Sequence, residues 1–190
     1  NERKNMKVKA WTVAIWVAAV GVSAQAQTQE QSWYGELGYT AMALKNDYSG
    51  GTETVTPNLG RLVLGKEVSD HFAIEGIAGM TLSKGTIGNA KVSADVTGLY
   101  LKAFTSVSTE TSVFARLGYA NNSGKSEVSG KDFSWSSSNA SYGVGLQTQF
   151  TKNVYGALDY MDYGKKTLSA ADGGGTIKHS GFTVSIGTRF

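Results

Sequence analysis

The segment Gly181–Phe190 alternates with a period of two. Phe182, Val184, Ile186, Thr188 and Phe190 share one parity, while Gly181, Thr183, Ser185, Gly187 and Arg189 share the other. Successive side chains of a β-strand point to opposite faces, so the segment reads as a strand with one apolar face and one small or polar face. Seven earlier segments carry the same period: Trp33–Leu44, Leu59–Lys66, Phe72–Leu82, Ala94–Phe104, Ser112–Ala120, Ala140–Phe150 and Val154–Tyr163. The last segment starts near Lys178. Most have the roughly 9–11 residues that a tilted strand needs to cross a bilayer.

Charge divides the chain unevenly. Of the net +3, all is carried by residues 1–26, where Arg3, Lys4, Lys7 and Lys9 stand against Glu2; the remainder balances. This excludes a nucleic-acid footprint, which needs a basic patch on the folded part. The cationic start is followed by an apolar run, Ala10–Val22, and by Ala24-Gln25-Ala26. That is the order of a cleavable signal peptide, and the run is short of the ~20 residues of a spanning helix. Cleavage is expected after Ala26, or alternatively after Ala24, leaving one domain at 27–190. The chain has no cysteine, so neither disulfides nor thiol chemistry enters.

The connections alternate in length. Lys45–Asn58, Ser83–Ser93, Asn121–Asn139 and Gly164–Ile177 are long, whereas Glu67–His71, Thr105–Thr111 and Thr151–Asn153 are short. An exported chain without a spanning helix crosses a membrane only as a closed barrel, because every amide and carbonyl must find a partner. Eight strands with alternating long loops and tight turns predict an all-β, eight-stranded antiparallel up-and-down transmembrane β-barrel, with both termini on the periplasmic side. Trp33, Phe72, Phe150 and Phe190 would form one aromatic girdle, and Tyr119, Tyr142, Tyr160 and Tyr163 the other.

The inward parity carries Glu36, Glu75 and Asp159, with Asp95 near a strand end, and Arg61, Lys102, Arg116 and Arg189. An eight-strand barrel is just wide enough for side chains to fill it, and isolated charges there are costly. These groups are therefore expected to pair in a polar network that plugs the lumen, with Gly38, Gly60, Gly143 and Gly145 making room for them. The alternative is a gated ion path.

Trp33-Tyr34-Gly35-Glu36-Leu37-Gly38-Tyr39, Gly98-Leu99-Tyr100-Leu101-Lys102, Ala115-Arg116-Leu117-Gly118-Tyr119, Tyr142-Gly143-Val144-Gly145-Leu146 and the closing Phe190 pattern together resemble the small bacterial outer-membrane barrels of the OmpA-like, OmpX/Ail-like and opacity (Opa)-type family. The resemblance covers about Ser32 to Phe190. It implies residence in the outer membrane among lipid and lipopolysaccharide, and assembly by the barrel-insertion machinery, which would read Phe182, Val184, Ile186 and Phe190. Members act as adhesins, envelope stabilisers or narrow pores, so the resemblance does not select a function.

No nucleophile elbow, phosphate loop, zinc spacing or pair of catalytic carboxylates is present, and no cofactor is expected. His179 and Ser180 sit at the loop-side rim, where a lipid A-modifying enzyme would need them. Adjacent strand residues point to opposite faces, which argues against a dyad. Lys125, Lys131, Phe133 and Trp135 in the longest loop form a candidate contact surface for a host or surface ligand. The sequence thus points to a monomeric, non-enzymatic envelope-structural or adhesin-like protein. A narrow porin-like channel is the second reading, and a lipid A-modifying enzyme the third.

Overall fold

Alternation along each strand becomes inside and outside once the strands close on themselves. In order the strands are β1 (Trp33–Tyr48), β2 (Gly51–Val55), β3 (Asn58–Ser69), β4 (Phe72–Ser83), β5 (Gly85–Ile87), β6 (Ala90–Ser106), β7 (Thr111–Val128), β8 (Lys131–Gln149), β9 (Val154–Thr167) and β10 (Thr176–Arg189). This computed structural model describes residues 32–48, 50–128, 131–169 and 175–190; the expected signal peptide at 1–26 lies outside them. Eight strands form the wall in the order β1-β3-β4-β6-β7-β8-β9-β10. The ring closes where β10 pairs antiparallel with β1, from Tyr34↔Arg189 to Asp47↔Thr176. Closure leaves the wall no free edge.

The register sets Ile186, Leu37 and Leu62 side by side on three adjacent strands. All three face outward, as do Leu99, Leu117 and Val144. Leu99 is 71% exposed and Val184 62%, whereas Glu36 and Arg61 are each 1% exposed. The barrel is apolar without and polar within, the arrangement of a membrane barrel and the reverse of a soluble one.

The three tight turns share one device. Ser69 Oγ accepts from the amides of His71 and Phe72, Ser108 Oγ from those of Glu110 and Thr111, and Thr151 Oγ1 from those of Asn153 and Val154. A hydroxyl satisfying amides two and three residues on is the local chemistry that makes Ser and Thr good turn formers. These turns share one end of the barrel with both ends of the described chain, here termed the turn end. The opposite, loop end carries the long connections.

Several expectations are corrected. Asn121–Asn139 is chiefly ladder: β7 and β8 pair from Thr111↔Thr148 to Val128↔Lys131 and run far past the apolar belt. Backbone hydrogen bonds hold that extension, and its Ser- and Asn-rich sequence carries little hydrophobic period to announce it. The stretches expected as loops also contain β2 and β5. Asp95 faces outward with Leu99 and Leu101, and its carboxylate accepts from the Thr81 amide at 2.8 Å where β4 parts from β6. Gly60 also lies on the outer face, beneath Leu82. Tyr163 belongs to no girdle. It shares the inward parity of Asp159 and Met161 and is buried in the lumen; just past it a bulge, where His179 pairs with Gly164 but Ser180 with Asp162, flips the alternation. Gly164 takes a positive φ of 89° there, and a side chain on it would strike Asn139.

Candidate functional site

Six charged side chains from six strands meet at mid-height in the lumen: Glu36 (β1), Arg61 (β3), Glu75 (β4), Lys102 (β6), Arg116 (β7) and Asp159 (β9). All are buried, and three acids face three bases. Arg61 grips Asp159 with both terminal nitrogens, one at 2.7 Å from Oδ2. Arg116 is the hub. Its Nε lies 2.5 Å from Glu75 Oε2, its Nη1 3.1 Å from Asp159 Oδ1 and its Nη2 3.3 Å from Glu36 Oε2. Lys102 Nζ lies 3.5 Å from Glu75, 3.6 Å from Glu36 and 3.1 Å from Gln147 Oε1. Paired, neutral and hydrogen-bonded, the cluster meets the conditions under which buried charge is tolerated.

Aromatic rings floor the network on its turn-end side. Tyr34 donates to Glu75 at 2.6 Å and Tyr155 to Glu36 at 3.0 Å. Lys102 Nζ lies 4.4 Å from the Phe114 ring centre and 5.1 Å from that of Tyr34, and the Arg116 guanidinium lies 4.5 Å from Phe114. Cations over ring faces gain electrostatically, the more so away from water. The sequence reading missed these rings, although a signal was available: Tyr34, Phe114 and Tyr155 share parity with Glu36, Arg116 and Asp159. Gly145 makes room for Phe114 and Asp159, and Gly143 for Met161.

Above the network the lumen is filled by Met42, Leu59, Val96, Met161 and Tyr163. At the loop end a cavity of about 200 Å³ is lined by residues including Leu44, Val55, Ile87, Val92, Trp135 and Ile177. At the turn end an open polar cup of about 570 Å³ is lined by Glu67, Asp70, Gln149 and Arg189 among others.

Arg189 stands apart from the central cluster. It is only partly buried at the turn end, with Nε 3.0 Å from Glu67 and Nη1 3.0 Å from Gln149. Its place as the last residue of β10 sets it too low to reach the other six. Phe182, Val184, Ile186 and Phe190 all face outward and are exposed. Of the expected contact residues, Phe133 is partly exposed and stacks on Trp135, with ring centres 6.1 Å apart. Trp135 itself leans over the lumen mouth, where Nε1 approaches His179 Nε2 at 3.5 Å. It packs against the apolar core and presents less surface than expected. Lys125 is bound to Asp132 at 2.8 Å and Glu127 at 3.4 Å. Lys131 opens β8 opposite Val128, and its side chain lies outside the described part. His179 is buried in the lumen, while Ser180 takes the opposite face of β10. Among the described residues, no cluster of three His, Asp or Glu side chains could hold a metal.

Solved structures of the same architecture exist. The chain is 18% identical to the attachment invasion locus protein Ail of Yersinia pestis, covering 85% of this chain and 99% of that one, with a TM-score of 0.61. It is 13% identical to Neisserial surface protein A, covering 83% and 97% with a TM-score of 0.63. It is 16% identical to the N-terminal β-barrel domain of Pseudomonas aeruginosa OprF, covering 82% and 99% with a TM-score of 0.55. Ail has also been solved in complex with the heparin analogue sucrose octasulfate. No curated protein sequence matches the chain. The sequence profile of one family, described as the outer membrane protein beta-barrel domain, matches residues 12–190, and the chain belongs to that family.

Proposed function

We propose that this outer-membrane barrel is sealed and works through its loop end, as a non-enzymatic envelope or surface-interaction protein. The observation that carries the reading is the six-residue network. Each charged group there is already engaged by others, and an apolar layer lies directly above it. A passing ion would have to break charge-assisted bonds and cross that layer. In this reading both termini and the tight turns lie in the periplasm. The wall sits among outer-membrane lipid and lipopolysaccharide, and the barrel-assembly machinery reads β10. The β7–β8 hairpin stands outside the cell as the main contact surface. The protein acts as a monomer. The complex of Ail with sucrose octasulfate makes a sulfated saccharide the first ligand class to try on the loop end.

The polar cup at the turn end, whose lining includes Gln147, the partner of Lys102, favours a second reading, a narrow pore gated by the charges. Planar-bilayer recording on the purified full chain separates the two. A sealed barrel gives no steady current; a reproducible, salt-dependent single-channel current overturns the sealed reading in favour of the pore.

A further inference from the structure

The register at the loop end stacks like charges. Lys45 on β1 pairs with Lys178 on β10, and Lys178 pairs with Lys165 on β9, so three lysines form one row across three adjacent strands. All three are exposed on the outer face. Lys165 joins the row only because of the bulge at Tyr163. The outward parity of Leu158 and Tyr160, continued without a break, would have placed Lys166 outside instead. Strands lie about 4.7–4.9 Å apart, so the row spans about 10 Å.

Like charges directly opposite one another destabilise a sheet unless something answers them. Within the protein the answer is partial. Asp47 lies 3.4 Å from Lys45 and 3.9 Å from Lys178. Asp162, one row nearer the belt, is engaged by the Tyr142 hydroxyl at 3.4 Å and the Gly164 amide at 2.7 Å. Among the described residues Lys165 has no ion-pair partner. Asp47 is the one described carboxylate within 4 Å of these ammonium groups, so the row with its ion-pair partner carries about +2, which one phosphomonoester would balance.

The height of the row agrees. Phe182 and Tyr160 pack ring to ring on the outer wall, 4.9 Å between centres. Lys178 lies four residues further along β10. At about 3.4 Å per residue and a tilt of about 40°, the lysines stand roughly 10 Å beyond that aromatic row, level with lipid headgroups.

We propose that Lys45, Lys165 and Lys178 form a docking row for a phosphomonoester-bearing lipid headgroup in the leaflet around the loop end. The proposal rests on the membrane orientation given above and names a specific lipid contact within it. Compact ammonium groups on flexible stems suit a phosphate as point charges.

The test uses the purified full chain, folded in detergent, with diphosphoryl lipid A and phosphatase-treated lipid A as probes. Lipid retained per barrel is read by native mass spectrometry. The wild-type protein is expected to prefer the phosphorylated probe by about tenfold or more, since each basic side chain near a headgroup contributes appreciably. The Lys45→Gln/Lys165→Gln/Lys178→Gln variant should lose that preference while keeping the gel shift of a folded barrel on heating. Lys91→Gln/Lys152→Gln should keep it. If the triple variant fails to fold, Lys178→Gln alone removes the central cation and should lower the preference by about threefold. An unchanged preference in these variants overturns the proposal. So does its abolition by millimolar inorganic phosphate, which would mark a free-anion site. Failure of the wild-type protein to enter bilayers at all overturns the membrane reading itself, a result distinct from insertion without lipid preference.

Discussion

Arg116 and Asp159 are joined through an oxygen that a second guanidinium also uses. Arg116 Nη1 lies 3.1 Å from Asp159 Oδ1, the atom that Arg61 Nη2 grips from the other side. One carboxylate on β9 thereby ties β7 to β3 across the lumen, and the interior charges behave as one unit.

Removing one member should cost more than removing a balanced pair. Arg116→Met leaves three buried carboxylates facing two cations, and an uncompensated buried charge costs about 3–5 kcal/mol. Arg116→Met/Glu75→Gln restores neutrality and should recover part of that loss. Urea unfolding of the barrel in lipid vesicles measures both. A double variant no more stable than the single would show that the groups are not coupled.

Glycine spacing should matter where side chains cross the lumen and not elsewhere. A Cβ on Gly145 would lie 2.5 Å from the Leu158 carbonyl oxygen and 2.7 Å from Asp159 Cβ, and the backbone atom cannot give way. Gly145→Ala should cost about 1–3 kcal/mol, as overpacking does. The nearest atom that a Cβ on Gly76 would meet, the Leu64 oxygen, is 3.9 Å away, so Gly76→Ala should stay within about 0.5 kcal/mol of wild type. The same unfolding measurement ranks the two, and equal losses would refute this packing account.

The outer wall should penalise charge by depth. Val184→Arg, in mid-belt on β10, should lose roughly 2–4 kcal/mol, whereas Thr188→Arg near the turn end should lose no more than about 1 kcal/mol. A reversed order in vesicle unfolding would mean that the belt is misplaced.

Phe190 closes the seam. Its amide donates to the Trp33 carbonyl at 2.9 Å, and its ring is exposed on the outer wall. If the cell's assembly machinery reads this residue, Phe190→Ala should lower the amount of heat-shifting barrel in membrane fractions several-fold. Refolding of the purified chain into vesicles should change little. Equal losses in both assays would mark a purely structural role.

The β7–β8 extension should loosen in acid. Lys84 Nζ lies 2.8 Å from both Glu127 oxygens, and that hydrogen bond holds the carboxyl below its ordinary range. A depressed carboxylate stabilises above its unfolded pKa of about 4.3 and loses that contribution as pH falls through the lower folded value. On the same extension Asp132 raises Lys125, whose contribution is full below the ordinary lysine range and fades as pH rises through the higher folded value. Amide exchange at the paired residues Ser126 and Phe133 should therefore be slowest, relative to the intrinsic rate, between about pH 5 and 10. It should quicken below pH 4, and salt should weaken the effect by screening. Protection unchanged from pH 3 to 7 would show that backbone pairing alone holds the hairpin.

The eight strands, the alternation of long and short connections, and the inward parity of Glu36, Arg61, Glu75, Lys102, Arg116 and Asp159 were all legible in the amino-acid order. The reason is that a two-residue period is a local property, and lipid outside with water-loving groups inside imposes it on every strand. Three kinds of feature needed the folded chain. Parity fails past a bulge, so Lys165 turned outward against the simple count. Height around the ring depends on stagger between strands, so Arg189 met Glu67 at one mouth while the other charges met at the centre. Where side chains carry no period, as in the serines and asparagines of β7 and β8, only backbone pairing shows that a strand continues, and only that pairing carries Trp135 over the mouth to His179.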